Sequence, residues 1–265
     1  MSTSLSSQPA STIVSTLRAA GCVFAEDEAQ LLVAAARTPG ELTAMVERRV
    51  AGEPLEHVLG WAEFCGLRIA VDPGVFVPRR RTEFLVLEAA CMVRSGSVVV
   101  DLCCGSGAVG VAVAAAVGGI ELHATDLDPA AVRCARRNVT GAGGHVHEGD
   151  LYAALPTALR GRVDVLVVNA PYVPSEAIGF MPPEAREREP QLALDGGVDG
   201  LDVQRRVAAG AREWLVPGGH LLIETSERQA PRTADIFARN GLEPRTVGSE
   251  ELDSTVVIGT ARPAE

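Results

Sequence analysis

The apolar residues among the first 60 positions recur at helical spacing, which predicts a small module of short helices. One stripe at i, i+3, i+4 and i+8 consists of Leu42, Met45, Val46 and Val50. Shorter stripes at 13–17 and 31–35 indicate two earlier helices, and Pro39-Gly40 separates the second from the third. A module of this size buries little core alone, so we expect it to pack against the rest of the chain.

Between residues 61 and 78 the apolar positions alternate instead, which is the spacing of a β-strand. The alternating residues are Leu67, Ile69 and Val71, followed by Val75 and Val77. The turn sequence Asp72-Pro73-Gly74 lies between them, so we predict a β-hairpin that turns at 72–74 and links two domains. Thr82 then suits the N-cap of a helix that runs to about Cys91.

From Ser97 onward, short apolar segments alternate with helical patterns. The predicted strands are Val98–Asp101, Ile120–Thr125, His145–His147, Val163–Val168, His220–Glu224 and Ser254–Gly259. The predicted helices are Ala108–Val117, Pro129 to about Val139, Val203–Leu215 and Arg232–Asn240. This alternation is typical of an α/β fold with a doubly wound, mostly parallel sheet. We therefore predict a helical domain at 1–60, a hairpin linker at 61–78 and an α/β domain at 79–265.

Charge and hydropathy limit the partners and the location. The formal net charge is −10, and the one tight basic run is Arg79-Arg80-Arg81. A nucleic-acid-binding protein usually carries a basic stripe for the phosphates, so this balance disfavours RNA and DNA. The Ser-rich start has no basic n-region, and the longest apolar stretch, Ala108–Ile120, is too short to span a bilayer. We expect a cytoplasmic monomer that does not enter a membrane.

The cysteines give no sign of a metal site or of a disulfide framework. They are Cys22, Cys65, Cys91, Cys103, Cys104 and Cys134. None form a CxxC pair, and no Cys/His group has zinc-like spacing. In a reducing compartment such residues are ordinary buried apolar side chains, so we predict no metal.

A glycine-rich segment, 101–107 (Asp-Leu-Cys-Cys-Gly-Ser-Gly), follows the first strand of the alternating region. Its glycines permit a sharp turn and a close backbone approach to a ligand, and the helix from Ala108 directs its N-terminal amides at the same place. A G-x-G-x-x-G loop alone also fits NAD, FAD or a structural turn. With Asp101 four residues before Gly105, the loop resembles that of methyltransferases, whose ligand, S-adenosylmethionine, offers an amino acid moiety.

Two further acids follow later strands and fit the same cofactor. The Asp126 carboxylate is placed to bind both ribose hydroxyls. The alternative is that Asp126 caps the next helix, but Asp128 before Pro129 already fills that role. Asp150 and Leu151 are placed to contact adenine, although Asp150 also suits a turn or cap. The predicted residues for S-adenosylmethionine, and for its product S-adenosylhomocysteine, are Asp101, Cys103, Cys104, Gly105, Ser106, Gly107, Asp126, Leu127, Asp150, Leu151 and Asn169.

The apolar segment 163–168 ends in Asn169-Ala170-Pro171-Tyr172, at the strand edge that faces the ligand in this fold. An amide or exocyclic amine nitrogen is a poor nucleophile because its lone pair is delocalised. The Asn169 side-chain oxygen and the Ala170 carbonyl can hold its NH₂ group, while Tyr172 packs on the flat face of the target. An ordinary Asn-x-Pro turn is the structural alternative. We predict that Asn169, Ala170, Pro171 and Tyr172 are catalytic and that Asn169, Pro171, Tyr172 and Arg79 bind substrate.

From about Arg48 to the C-terminus, the chain resembles the protein-(glutamine-N5) methyltransferases that modify peptide release factors. The resemblance is carried by 52–60 (Gly-Glu-Pro-Leu-Glu-His-Val-Leu-Gly), 77–83 (Val-Pro-Arg-Arg-Arg-Thr-Glu), the glycine loop, the Asn169 motif and 193–201. Segment 77–83 is not shared with the general Asn-Pro-Pro-Tyr enzymes that act on adenine. The resemblance implies a Rossmann-like class I methyltransferase fold, a glutamine amide as methyl acceptor, and an N-terminal helical domain that docks a release factor.

The sequence departs from that family at three places. Ala170 replaces the first proline of Asn-Pro-Pro-Tyr, which keeps the backbone acceptor but removes about 0.4–1 kcal/mol of rigidity. The family's Glu-His-Gly-x-x-Gln is Glu224-Thr-Ser-x-x-Gln229 here, and the N-terminal module is shorter. These departures affect the identity of the protein partner more than the reaction, so a paralogue with another glutamine substrate also fits.

Other functions stay open at this point. They are methylation of an exocyclic amine in RNA or DNA, a non-catalytic cofactor-binding or interaction module, and methylation of a small molecule. The run 79–81 suits a solvated turn, or a loop that covers the cofactor or steers an acidic partner. Glu83 suits the first turn of a helix, where an acid complements the dipole.

Overall fold

The structure is a computed structural model that describes residues 10–262, so the Ser-rich start, residues 1–9, lies outside the described residues. The helices are α1 (Ala10–Ala19), α2 (Ala25–Ala35), α3 (Pro39–Val50), α4 (Leu55–Leu59), α5 (Glu83–Ala90), α6 (Ala108–Val117), α7 (Pro129–Gly141), α8 (Pro183–Arg188), α9 (Asp202–Trp214) and α10 (Ala230–Arg239). The strands are β1 (Trp61–Phe64), β2 (Leu67–Ala70), β3 (Val98–Leu102), β4 (Glu121–Asp126), β5 (His145–Glu148), β6 (Val163–Val168), β7 (Leu215–Thr225), β8 (Leu242–Ser249) and β9 (Ser254–Ala261). Within residues 10–262, no helix has the length and apolar character needed to cross a membrane.

Seven of the described strands form one sheet in the order β5-β4-β3-β6-β7-β9-β8. The strands from β5 to β7 pair in parallel, whereas β9 is antiparallel to both β7 and β8. The predicted α/β fold with a mostly parallel sheet is therefore confirmed. Chain order reverses beside β3, which has β4 on one side and β6 on the other, and ligands bind at such a point in open α/β sheets.

The central strands are apolar on both faces because helices cover both faces of the sheet. Val99 and Val165 pack in one core cluster with residues of α5, α6 and α7. Val100 and Leu166 point the other way, into a second cluster that includes residues of α9 and α10. Each such side chain contributes about 1.5–3 kcal/mol of burial, which fixes the strand ends where the polar residues follow.

The N-terminal helices enclose a third, separate cluster, as their apolar stripes predicted. It includes Ile13, Leu17, Leu32, Leu42, Met45 and Val58. Pro39-Gly40 forms the first turn of α3, where the Thr38 hydroxyl caps the helix by accepting the Glu41 N–H. Arg188 donates to the Ala51 carbonyl at 2.7 Å and so joins this module to α8. The domain boundaries at 60 and 78 stay predictions.

The hairpin is present, but it turns before the predicted position at 72–74, so that prediction is wrong. β1 and β2 pair antiparallel around the two-residue turn Cys65-Gly66, whose φ angles are 50° and 71°. Positive φ at both turn residues matches the twist of a tight hairpin. Residues 72–74 form a separate turn, closed by the Val75 N–H to the Asp72 carbonyl at 3.0 Å. Val75 and Val77 are buried without belonging to a strand.

Two other features differ from the sequence prediction. β8 was not predicted, because only one of its eight residues is buried and it pairs only with β9 at the sheet edge. Thr82 lies just before α5 as predicted, but its side chain makes no capping hydrogen bond there. A 3₁₀ turn, Arg80–Thr82, leads into the helix instead, which leaves the Thr82 hydroxyl available for another partner.

Candidate active site

A cleft opens at the carboxyl ends of β3, β4 and β6, where the sheet changes direction. The empty space in and just above it is about 1180 Å³, part of which is open solvent. The predicted residues that line it are Asp101, Cys103, Cys104, Gly105, Ser106, Asp126, Leu127, Asp150, Leu151, Asn169 and Pro171. Gly107, Ala170, Tyr172 and Arg79 lie outside the lining. The fold thus brings most of the predicted residues to one place.

The glycine loop between β3 and α6 depends on unusual backbone angles. Cys103, Gly105 and Gly107 have φ of 56°, 55° and 78°, and the Gly107 N–H donates to the Cys104 carbonyl at 2.7 Å. A Cβ on Gly107 would lie 2.6 Å from a methyl of Val139 on α7, whereas one on Gly105 would meet nothing within 4 Å. Gly107 therefore permits close helix packing, and Gly105 permits the turn at the cleft surface.

Asp101 lies near the end of β3 and is only 1% exposed. Its Oδ2 accepts the Gly110 N–H at 2.9 Å. Burial raises the pKa of Asp101 to about 7, while the Gly110 bond lowers it and the charge of Asp126 raises it. Among residues 10–262, no cationic side chain pairs with this carboxyl. A buried acid that lines a cleft without a cation of its own suits a cationic ligand group.

Asp126 ends β4 and supports the glycine loop. Its Oδ2 accepts the Gly105 N–H at 2.8 Å, and its Oδ1 accepts the Asp128 N–H at 2.9 Å. Asp128 caps α7 by accepting the Ala130 N–H, so the capping role predicted for it is confirmed. Burial raises the pKa of Asp126. Each of its oxygens keeps a further lone pair, which suits a ligand diol.

Asp150 and Leu151 follow β5 at the far side of the cleft. Arg206 on α9 donates to Asp150 Oδ2 at 2.6 Å, and the Asp150 side chain caps no helix. Leu151 has a φ of 48° and is 8% exposed. Together with Leu127, it gives this end of the cleft an apolar lining.

Asn169 is the first residue after β6. Its Nδ2 donates to the Thr82 hydroxyl oxygen at 3.3 Å. Among residues 10–262, neither the Asn169 side-chain oxygen nor the Ala170 carbonyl accepts a hydrogen bond. The Ala170 side chain is buried in the core cluster below. Both predicted acceptor oxygens are therefore unengaged.

Tyr172 is hydrogen-bonded by Glu224 and Gln229, the two residues of segment 224–229 that match the family motif. Its hydroxyl donates to Glu224 Oε1 at 3.3 Å, and Gln229 Nε2 donates to the Tyr172 carbonyl at 3.0 Å. Gln229 also donates to the Asp199 carbonyl at 3.1 Å and accepts the Ser226 hydroxyl at 2.7 Å. Burial raises the pKa of Tyr172 to about 12, so this phenol is a neutral donor. The substituted middle of the motif leaves these contacts intact.

Arg79, predicted to bind substrate, is engaged by another part of the chain. Its Nη2 lies 2.7 Å from both carboxylate oxygens of Glu189, whose side chain is 1% exposed. Glu189 also accepts the Val77 N–H at 3.2 Å. Burial raises the pKa of Glu189, and the Arg79 charge lowers it. Since Pro78 and Pro190 both line the cleft, this ion pair joins two segments that border it.

Sequence reasoning missed a second group of lining residues. They include Val75, Phe76, Pro78, Thr82, Thr125, Pro190, Leu192, Ala193, Asp195, Val203 and Arg206. Eight of these come from segments before α5 and after β6 that lack regular periodicity. Of the eight, the resemblance at 77–83 and 193–201 covered only Pro78, Thr82, Ala193 and Asp195. Glu83, expected to complement a helix dipole, accepts the Cys65 N–H of the hairpin at 2.9 Å.

Comparison with known proteins agrees with the fold. Residues 66–181 match the family model described as a methyltransferase small domain. A methyltransferase from Pyrococcus furiosus superposes with a TM-score of 0.57 at 17% identity, covering 75% of this chain and 90% of that one. The sheet and its helices are those of a class I S-adenosylmethionine-dependent methyltransferase.

Curated relatives are similar over most of the sequence. The release factor glutamine methyltransferase of Streptomyces coelicolor is 39% identical over 224 residues, which are 83% of this chain and 79% of the relative. The 4-amino-L-phenylalanine/4-methylamino-L-phenylalanine methyltransferase of Streptomyces pristinaespiralis is 38% identical over 203 residues, 74% of this chain and 69% of the relative. Because the similarity to the Streptomyces coelicolor relative extends over most of both sequences, the chain belongs to the release factor glutamine methyltransferase family.

Proposed function

We propose that the protein transfers a methyl group from S-adenosylmethionine to the side-chain amide nitrogen of a glutamine in a peptide chain release factor. The observation that carries this proposal is the position of Asn169, whose unengaged carboxamide oxygen follows β6 at the same cleft as Asp101 and Asp126. The Streptomyces coelicolor relative is named for this activity.

The side chains at the cleft fit S-adenosylmethionine. Asp101 is a buried carboxyl suited to the ammonium group, and Asp126 has lone pairs for the ribose hydroxyls. Leu127 and Leu151 offer apolar contact to the adenine ring. When bound, the cofactor supplies an electrophilic methyl group on a sulfonium sulfur. S-adenosylhomocysteine carries the same ammonium, ribose and adenine groups, so the same residues would hold the product.

The catalytic task of the chain is to orient a weakly nucleophilic nitrogen. The Asn169 side-chain oxygen and the Ala170 carbonyl each accept one N–H of the substrate amide, and the Tyr172 ring packs on its plane. As the nitrogen forms its new bond to carbon it becomes positive, and the two oxygens stabilise that charge. The alkylated nitrogen is strongly acidic and releases its proton to water, so no side-chain base is needed. Positioning supplies much of the remaining acceleration.

A free aromatic amino acid is a second candidate acceptor. The Streptomyces pristinaespiralis relative is named for 4-amino-L-phenylalanine, whose aromatic amine also has a delocalised lone pair. Ala170, in place of a proline, makes the chain depart from the release-factor pattern at the acceptor itself. The net charge of −10 disfavours RNA and DNA. With a release factor as substrate, the protein acts in the cytoplasm, and a monomer suffices because one chain supplies the whole cleft.

The test is transfer of labelled methyl from S-adenosylmethionine to a release factor, total RNA or 4-amino-L-phenylalanine, each offered separately. We expect label on a glutamine of the release factor, located by mass spectrometry. Asn169→Ala should lower kcat about a hundred- to thousandfold. Asn240→Ala is the control, because Asn240 follows α10 and its side-chain amide donates to the Ile236 carbonyl of that helix. Label solely in the amino acid selects the second candidate, and label solely in RNA contradicts both.

A further inference from the structure

The Thr82 hydroxyl is buried at a helix start, yet it does not cap that helix. Thr82 is 1% exposed, borders the cleft and makes no capping bond to α5. A threonine immediately before a helix ordinarily uses its oxygen to accept an N–H of the first turn. Here the oxygen accepts Asn169 Nδ2 at 3.3 Å instead. The 3₁₀ turn before α5 thus supplies a buried hydrogen-bond acceptor to the candidate catalytic motif.

This contact decides which way the Asn169 carboxamide faces. A primary amide has a donor end and an acceptor end, and rotation by half a turn exchanges them. With the NH₂ group bound to Thr82, the carboxamide oxygen is left without a partner within residues 10–262. A flipped amide would turn its NH₂ toward the substrate nitrogen, and its oxygen would need the Thr82 proton, for which the neighbouring Glu224 carboxylate competes. Only the observed orientation offers an acceptor to a substrate N–H.

Glu224 lies behind the same motif and is 2% exposed. One of its oxygens accepts the Tyr172 hydroxyl at 3.3 Å, while the other, Oε2, is buried without a hydrogen-bond partner. Burial raises the pKa of Glu224, and the nearby Thr82 hydroxyl and Arg81 charge lower it. A buried carboxyl with one oxygen lacking a hydrogen bond destabilises the folded protein. Its presence here therefore indicates a role other than stabilising the fold.

We propose that Thr82 and Glu224 are positioning residues for methyl transfer: Thr82 fixes the orientation of the Asn169 carboxamide, and Glu224 fixes the Tyr172 phenol beside it. The proposal rests on the proposed function, since it assigns the two side chains to orientation of the same acceptor nitrogen. Neither residue needs to touch the substrate. Each acts through the group that does.

The first experiment replaces the Thr82 hydroxyl while keeping its shape. Thr82→Val should lower kcat about tenfold with the cofactor Kd unchanged, and Thr82→Ser, which restores the hydroxyl, should recover kcat to within about twofold. Ser97→Ala is the control, because Ser97 carries another buried hydroxyl, accepts the Arg94 N–H at 3.2 Å and lies directly before β3, at the end of that strand opposite the cleft. A Thr82→Val enzyme that loses stability like the control but keeps its kcat would overturn the proposal.

The second experiment asks whether Glu224 acts through Tyr172. Glu224→Gln and Tyr172→Phe should each lower kcat/KM several-fold because each weakens the same hydrogen bond. In the Tyr172→Phe background, Glu224→Gln should have no further effect. Fully additive losses would show that Glu224 acts elsewhere and would overturn its assignment.

A third measurement separates the proposal from the proposed function, because it requires no substrate. Hydrogen exchange of the Asn169 side-chain NH₂, followed by NMR of the full chain, should be slow in the wild type and in Thr82→Ser and faster in Thr82→Val. Absence of glutamine methylation by the wild type would refute the proposed function alone. Equal exchange in Thr82→Val and the wild type would overturn the positioning role whatever the substrate.

Discussion

Replacing Asp101 by asparagine removes the charge that the cleft offers to an ammonium group. The change keeps a side-chain oxygen, so the bond from the Gly110 N–H at 2.9 Å can persist. The effects on ligand binding and on stability therefore arise from the carboxyl charge and not from lost packing. Both effects depend on pH, because burial raises the pKa of Asp101 to about 7.

The pH dependence of ligand binding follows from this pKa. At pH 6 the carboxyl of the free protein is mostly protonated, and it must release that proton to pair with an ammonium group. For a pKa of 7, the Kd of S-adenosylhomocysteine should rise about eightfold between pH 7.5 and pH 6. In Asp101→Asn this carboxyl no longer titrates, so most of the slope should be lost.

The stability of the ligand-free protein should change in the opposite sense. A carboxyl whose folded pKa lies above its ordinary value of 3.8 holds its proton more tightly in the folded state. Its contribution therefore makes the protein less stable as the pH rises from about 4 to about 7. At pH 8, Asp101→Asn should raise the free energy of unfolding by about 2–4 kcal/mol, and the gain should vanish near pH 4.

Isothermal titration calorimetry with S-adenosylhomocysteine and urea unfolding measure the two effects. Asp235→Asn, an exposed acid on α10, is the matched control and should alter neither the Kd profile nor the stability profile. A wild-type Kd that stays within twofold from pH 7.5 to pH 6 would refute the reasoning. The reasoning would also be refuted if the Kd of Asp101→Asn changed with pH as much as that of the wild type.

Two further substitutions test the surroundings of the cleft by chemical unfolding and kcat. Arg79→Ala should cost about 3 kcal/mol at pH 8, because it leaves the buried Glu189 carboxylate unpaired. The loss should shrink as the pH falls, because burial raises the pKa of Glu189 and the protonated carboxyl needs no cation. Adding Glu189→Gln should recover stability, and a double variant no more stable than Arg79→Ala would contradict this. Gly200→Ala should cost about 3 kcal/mol and lower kcat, because its φ is +76° and a Cβ would lie 2.3 Å from the Tyr172 carbonyl oxygen. Gly218→Ala, with φ +81° but open space around the Cβ, should cost only about 1 kcal/mol, and an equal loss at both glycines would refute the role of the contact.

The sequence predicts the central part of the fold well because burial there is periodic. α6 and β6 begin and end at the predicted residues, since each is a nearly continuous apolar run bounded by polar or glycine residues. β8 escapes prediction because pairing with β9 requires only backbone groups, and its exposed side chains carry no period. The hairpin turn was misplaced because Asp72-Pro73-Gly74 is a stronger turn sequence than Cys65-Gly66, yet only the latter joins two paired strands.

The candidate site likewise contains residues that the sequence pattern predicts and residues that it does not. Asp101 and Asp126 lie at the ends of β3 and β4, and Asn169 directly follows β6, so the parallel sheet alone brings them to one edge. Thr82 and Glu189 reach the site from irregular segments, and no local pattern indicates where those segments fold. Their positions depend on contacts between residues far apart in sequence, which one sequence does not reveal.

Those distant contacts also explain how the motif tolerates Ala170. A proline at that position would add about 0.4–1 kcal/mol of rigidity through its fixed φ angle. In this chain the neighbours of Ala170 are held by other means. Thr82 binds the Asn169 carboxamide, Glu224 binds the Tyr172 hydroxyl, and Gln229 binds the Tyr172 carbonyl. Each such bond contributes about as much as the missing proline, so the orientation of the motif is set by three other elements of the fold and not by its own backbone alone.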